Sequence, residues 1–575
     1  MQSANSSCDW TKRTRHFVGR TIMRFICWVS AFSIVWTFAI VEWISAVESQ
    51  QTDGQFVLHL REQVATTAGE QATKPSFRTE RWNPDRTAVI VCDMWDSHHC
   101  YNAVQRVKDM AGRVSKVLKT MRDAGALVIH CPSSCMQAYE GHPARLRAQR
   151  APPAKNLPKG IDQWCVQIPS EEESQYPIDQ SDGGEDDDLE VHQKWHEQLV
   201  ADGKNVSSPW TRQCDLLEIS DEDAITDSGR EVWNLLEERG IENVILLGVH
   251  TNMCVLGRPF GLRQMAKNGK NVVLIRDLTD TMYNPAMPPY VDHHTGTDFI
   301  IEYIEKYVCP TVASSDLVGG KPHRFFDDKR PTLAIVVSEF EYETFQTLPE
   351  FSRQHLGKNF RVVYAINDDR DSHELPGIEI LKDADVAIMS IWRRSLPPEQ
   401  LQVVRDYIEA KKPLVAIRTT SHAFATRNHS TPAGRATWQR FDRDVLQGNY
   451  QGHHGNHADQ GDSATVVWIP SSATDHLLVA GISPGEFTVG SWLYKMSPLG
   501  DLATPVLMGR VGNSAHEPVA WSLDSEDGHR VFYTSLGSQD DFRSSEFVCL
   551  LRNAIYWAAG VPELVKPVAT TAEKE

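Results

Sequence analysis

At 575 residues with a formal net charge of −18, the chain is too long for one hydrophobic core and too acidic to hold phosphate backbones, so two or three domains are expected and nucleic acid is excluded as a partner. Eleven cysteines without a CxxC pair exclude a disulfide scaffold or zinc finger and point to mostly free thiols, with pairing open to an exported protein. Lys12, Arg13, Arg15, Arg20 and Arg24 precede an uncharged run over residues 25–41 that Glu42 ends. That length lies between a signal-peptide core and a short membrane span. With its basic flank first, it places the bulk of the protein outside the cytoplasm, secreted, periplasmic or tethered to the membrane. Residues 1–49 are therefore read as a signal peptide or membrane anchor, with Met23 as an alternative start. Residues 50–80 turn polar and read as a linker.

An α/β pattern follows. Residues 87–92, TAVIVC, read as a strand ending at Asp93. Val104, Val107, Ala111, Val114, Leu118 and Met121 repeat at helical spacing, and residues 126–130, ALVIH, give the next strand. This βαβ unit implies a parallel sheet with helices on both faces. Residues 131–211 hold proline pairs, Glu171 to Glu173 and the acidic run 185–188, the pattern of a long solvated insertion over one sheet end. A helix over 228–239, an apolar strand over 244–247 and another strand over 271–275 complete the unit.

The organising stretch is NVILLGVHTNMCVLGRPFGLRQM, residues 243–265. Its strand stops at Gly248, and Cys254 falls at the crossover to a helix, where backbone N–H groups and the helix dipole would lower a thiol pKa and stabilise an oxyanion. Cys254 is thus either a nucleophile or a small buried space-filler. Asp93 also ends a strand, so the same sheet edge brings it toward Cys254. There it would exchange a proton with the thiol, or else cap a helix.

Asp93 after its strand, GVHTNMCV at 248–255 and the following NVVLIRDLTD resemble the isochorismatase-like cysteine hydrolases, which include nicotinamidases and N-carbamoyl amide hydrolases. The resemblance spans about residues 81–317. It implies Asp93 as acid/base, Cys254 as nucleophile, and a cis Val249–His250 bond shaping an oxyanion hole together with Met253. It implies no required cofactor, a small amide-type substrate faced by Trp95, His98, His99 and Asn252, and pairing of copies through helices beside the site. The family's catalytic lysine has no counterpart in WTRQCDLLEISDED, where Arg212 is the nearest cation and Lys204 lies further back. Arginine would hold a thiolate but not shuttle a proton. Asp96-Ser97-His98 has the spacing of a nicotinamidase metal element, so a divalent metal on Asp96 and His98 stands beside the plainer reading of packed histidines.

After a glycine- and charge-rich linker at 318–330, a second α/β domain is expected over 331–565, with a polar tail at 566–575. Strands over 331–337, 361–365, 386–389 and 414–417, with an amphipathic helix over 397–410, imply a second mostly parallel sheet. With the closing VFYTSLGSQDDFRSSEFVCLLRNAIYWAAG this resembles the ThuA-like, trehalose-utilisation domains, relatives of class I glutamine amidotransferases. The elbow AIRTTSHAF has no cysteine, so the resemblance does not extend to thiol chemistry there. Arg418, Ser421, His422 and the histidines His453, His454 and His457 remain as a candidate ligand site for a carbohydrate or a metal ion. Ser421 and His422 make a poor nucleophile and base, since adjacent residues on a turn usually point apart. Loss of turnover in both domains would leave an extracytoplasmic binding protein.

Overall fold

Apolar runs rich in branched residues become the central strands. In the computed structural model, which describes residues 54–66, 69–367, 369–427, 429–455, 464–525 and 528–561, these runs build two sheets. The run at 25–41, the polar tail and His457 lie outside the described residues. Among the described residues no helix is long and apolar enough to cross a membrane.

The first sheet has eight strands in the order β2-β1-β8-β7-β6-β3-β4-β5. They are β1 (Phe56–Thr66), β2 (Gly69–Trp82), β3 (Thr87–Cys92), β4 (Leu127–Cys131), β5 (Ala224–Ile225), β6 (Asn243–Val249), β7 (Asn271–Asp280) and β8 (Thr311–Val312). Helices α1 (Tyr101–Asp123), α2 (Gly229–Glu238) and α3 (His293–Tyr307) pack on it. β3 pairs in parallel with both β4 and β6, and Cys92 sits level with Cys131 and Gly248. That register brings Asp93 and the turn after β6 to one edge.

The polar stretch at 50–80 is not a linker; most of it is β1 and β2. Alternation explains the difference: Phe56, Leu58 and Leu60 face the core, while the intervening side chains face outward. β1 runs antiparallel to β8, and Arg61 Nε donates to Glu305 Oε1 at 2.7 Å. The acidic run is not a solvated loop either. Asp187 accepts from the amides of Tyr101 and Asn102 at 2.7 and 2.8 Å, supplying the carboxylate cap that Cys100 cannot give α1. Asp186 pairs with buried Arg106, whose Nε donates to Asp280 at 2.8 Å.

The second sheet has nine strands in the order β10-β9-β11-β12-β17-β16-β15-β13-β14. β9 (Thr332–Ser338), β10 (Arg361–Ile366), β11 (Val386–Ile391), β12 (Leu414–Ile417) and β17 (Arg530–Thr534) are parallel. β13 (Thr465–Trp468), β14 (Phe487–Val489), β15 (Thr504–Val511) and β16 (Glu517–Asp524) extend it with antiparallel pairs. The expected mostly parallel sheet is therefore a mixed one, because residues 465–524 join strand to strand without crossover helices. Helices α4 (Thr344–His355), α5 (Pro398–Glu409) and α6 (Ser545–Ala558) flank the sheet. Within the charged connection before β9, Arg330 is buried and bonds Asp328 and Asp298.

Candidate functional site

The turn after β6 is possible only because residue 248 is glycine: its φ is +114°, and a Cβ there would lie 2.0 Å from the Cys92 carbonyl oxygen. The next peptide, Val249–His250, is cis. Residues 251–257 then wind as a helical turn, placing buried Cys254 above the end of β3. Asp93 follows β3 with φ +46° and no exposed surface.

Asp93 Oδ1 accepts from the Ser133 amide at 2.7 Å, and Oδ2 accepts from Arg258 Nε at 3.1 Å. Cys254 neighbours both Asp93 and Arg258. Burial pushes the thiol pKa up and Asp93 pushes it further, while Arg258 draws it down. This corrects the expectation of a lowered thiol pKa, because burial and a facing carboxylate outweigh the helix end. Burial also raises the Asp93 carboxyl, against the pull of Arg258 and the Ser133 amide. The resting site is thus a protonated thiol beside a carboxylate and a permanent cation.

Arg212 is not that cation. It is exposed and pairs with Asp215 at 2.7 Å. Extended backbone at 211–213 alternates its side chains, so Gln213 points inward and Arg212 outward. The cation is Arg258, four residues after Cys254, its amide bonded to the Cys254 carbonyl at 3.0 Å. The sequence signal was this i, i+4 spacing, obscured by Pro259 and Gly261, which end the helical turn early. Trp164 of the insertion lies over the Arg258 guanidinium at 5.3 Å. It fits because Gly257 has no side chain: a Cβ there would meet the indole at 2.4 Å.

The other sequence candidates divide. Trp95 stacks on Trp210 at 4.5 Å and His98 stacks on Trp210 at 5.6 Å, forming an aromatic wall. His98 is 4.1 Å from His99 and 4.9 Å from His250, ring to ring. Burial keeps both His98 and His250 neutral, the latter with its pKa pushed down to about 4. Both ring nitrogens of His250 are buried without a partner among the described residues. Asp93, Trp95, His98 and His250 line a cavity of about 10 Å³, room for one water. Two candidates are already engaged. Asn252 bonds Gln180 and both backbone groups of Met282, and the Met253 amide donates to the His250 carbonyl at 3.0 Å.

Asp96 does not join His98 as a metal pair. Its carboxylate accepts from the Thr211 amide and hydroxyl, each at 2.8 Å, and faces Lys204. Among the described residues, three donors come within 4.8 Å of one another at Cys100, Asp186 and Asp187 and at Glu185, Asp187 and His192. Asp186 and Asp187 are spent there on Arg106 and on the start of α1.

On the second sheet, the elbow after β12 places Arg418 at φ +50° and fully buried. Contrary to expectation for adjacent residues, Ser421 Oγ and His422 Nδ1 meet at 3.0 Å. Of the other candidate histidines among the described residues, His454 bonds Glu517 at 3.0 Å, and His453 packs against Trp492.

Residues 223–286 match the isochorismatase domain. This isochorismatase match contains Cys254, Arg258 and the cis bond, and Asp93 precedes it. No curated protein matches the chain. Solved structures that resemble it include a cysteine hydrolase from Pseudomonas syringae pv. phaseolicola, at 18% identity over 41% of this chain and 94% of that one, TM-score 0.26. An N-carbamoylsarcosine amidase from Thermoplasma acidophilum is 14% identical over 34% of this chain and 83% of its own, TM-score 0.19. A ThuA-like protein from Parabacteroides merdae is 14% identical over 40% of this chain and 90% of its own, TM-score 0.29.

Proposed function

We propose that the first domain is a cysteine hydrolase of small amide-type C–N bonds, including N-carbamoyl compounds, or of related esters or vinyl ethers. One observation carries the reading: Cys254, Asp93 and Arg258 converge at the edge of β3 and β6. In the proposed steps the Cys254 proton passes to Asp93 as sulfur attacks the substrate carbonyl carbon. Asp93 then gives that proton to the departing nitrogen, and the C–N bond breaks to leave a thioester. Water, losing a proton to Asp93, cleaves the thioester and restores the thiol. The raised carboxyl pKa of Asp93 suits a group that must both take and give a proton. Arg258 replaces lysine as a fixed charge that favours the thiolate and takes no part in proton movement.

The uncharged run at 25–41 supports an extracytoplasmic location, and the second domain is proposed to bind a carbohydrate or polyol. One observation favours a second reading, a binding protein without turnover: the thiol pKa is raised. Ammonia release from a panel of primary amides and N-carbamoyl compounds separates the two. Release by the wild type that Cys254→Ala abolishes is expected; release by neither sinks the hydrolase.

A further inference from the structure

Among the described residues five arginines are buried: Arg106, Arg263, Arg330, Arg394 and Arg418. The first three each hold a carboxylate. Arg106 has Asp280 at 2.8 Å, Arg263 has Glu171 at 2.6 Å, and Arg330 has Asp328 at 2.9 Å. Arg394 and Arg418, 3% and 0% exposed, have no carboxylate partner among the described residues and sit at the ends of β11 and β12. Those strands are parallel neighbours, Met389 level with Ala416.

Arg418 is bonded only to neutral groups. Its Nη1 donates to the carbonyls of Trp492 and Ser535 at 3.1 and 2.6 Å, and Nη2 donates to the Tyr342 hydroxyl at 2.9 Å. The guanidinium lies 4.2 Å from the Tyr342 ring and 4.6 Å from that of Tyr494, and Nε has no partner. Arg394 Nη1 donates to the carbonyls of Arg370 and Ser372, leaving Nε and Nη2 buried and unpartnered. Arg393 beside it is half-buried with φ +50°, and its Nε is also unpartnered.

Nearby acids do not balance this charge. Glu339 is spent on the amides of Glu341, Tyr342 and Thr344, and Asp541 on those of Gly490, Gly537 and Ser538. Glu341 is exposed and makes no ion pair with these arginines. Burial first, then Arg427, pushes the Arg393 pKa down, against a pull from Tyr450, Tyr494 and Glu341 that does not outweigh them. Exposure is graded: Arg427 and Glu341 lie at the rim, Arg393 and Tyr450 are half-buried, and Arg418 and His422 form the floor. Buried cations are normally paired, so a site that repeatedly lacks the partner is one whose anion comes from outside.

We infer that this edge of the second sheet binds a compact ligand through an oxyanion, a carboxylate or a phosphate, held by Arg393 and Arg418 and flanked by His422 and Tyr450, whose rings stack at 4.3 Å. This deepens the proposed second-domain ligand reading and is independent of the hydrolase reading. The test is calorimetric titration of the full chain with inorganic phosphate, with glucuronate, and with glucose as the uncharged control. At least one anion is expected to bind with a Kd of about 1 mM or tighter. Affinity should fall at least about tenfold in Arg418→Gln and in Arg393→Gln. Arg393, only half-buried, keeps the test informative should Arg418→Gln unfold. Preference for phosphate assigns a phosphoester, and preference for glucuronate assigns a sugar acid. Unchanged binding in Cys254→Ala separates this site from the first. The inference is overturned if neither anion binds, if glucose binds as tightly as the anions, or if the arginine variants bind as the wild type does.

Discussion

The two sheets present the same edge, the C-terminal ends of parallel strands, and charge it in opposite ways. On the first, Arg258 is matched at 3.1 Å by Asp93, and the charge is complete before anything binds. On the second, Arg418 is wrapped by carbonyls and tyrosine faces with no carboxylate. A balanced edge can keep a thiol protonated and close over it; an unbalanced one is left waiting for an anion. Parallel strand ends thus set where a site lies, and the local charge balance sets what it can do.

Breaking the balance at the first edge should have the largest effect. Cys254→Ala and Asp93→Asn should each lower hydrolysis by at least about a thousandfold. They part in thiol chemistry: with its carboxylate neighbour gone, the thiol pKa falls, so Asp93→Asn should speed alkylation of Cys254 by iodoacetamide. Equal or slower labelling would mean that Asp93 does not face the sulfur. Arg258→Gln comes next, with a loss of about 10²–10³ in turnover and slower labelling, since the group drawing the thiol pKa down is removed. Arg258→Lys should recover part of both, and no recovery would tie the arginine to structure.

Gly257→Ala should displace Trp164 and destabilise the fold by about 1–3 kcal/mol, read by urea unfolding. A pH-dependent effect of similar size concerns α3, where burial above all raises the Glu302 carboxyl from 4.5 to about 7. The folded chain then holds this proton more tightly than the unfolded chain. Its contribution is fully present below the unfolded value and is lost as pH rises from 4.5 to about 7, by up to about 1.4 kcal/mol per pH unit. Glu302→Gln should flatten that slope; an unaltered slope would refute the assignment.

Much of this was legible in the sequence because it is local. TAVIVC and NVILLGV are apolar on both faces, so they read as central strands, and Asp93 and Cys254 fall at their ends by counting. What was not legible depends on distant partners. β1 hides its apolar alternation among polar outward residues, and its place is set by β8, some 250 residues on. Met253 and Asn252 sit beside Cys254 in sequence, but their polar groups bond His250 and Met282. Arg258 is hidden in the sequence because the resemblance places the cation upstream, near Arg212, whereas the turn carries its own cation one helical step downstream. The acidic run 185–188 has the pattern of solvent-facing charge in the sequence, because its partner, the buried guanidinium of Arg106, lies some 80 residues away.

The contact between Trp164 and the bare backbone of Gly257 ties the insertion to the nucleophile's own turn. Cys165, next in the chain, donates its amide to the Gly257 carbonyl at 2.7 Å, so the indole over Arg258 and its backbone tether are fixed to the same turn. The insertion and the turn that carries Cys254 therefore move as one unit, joined by a backbone hydrogen bond and a ring face.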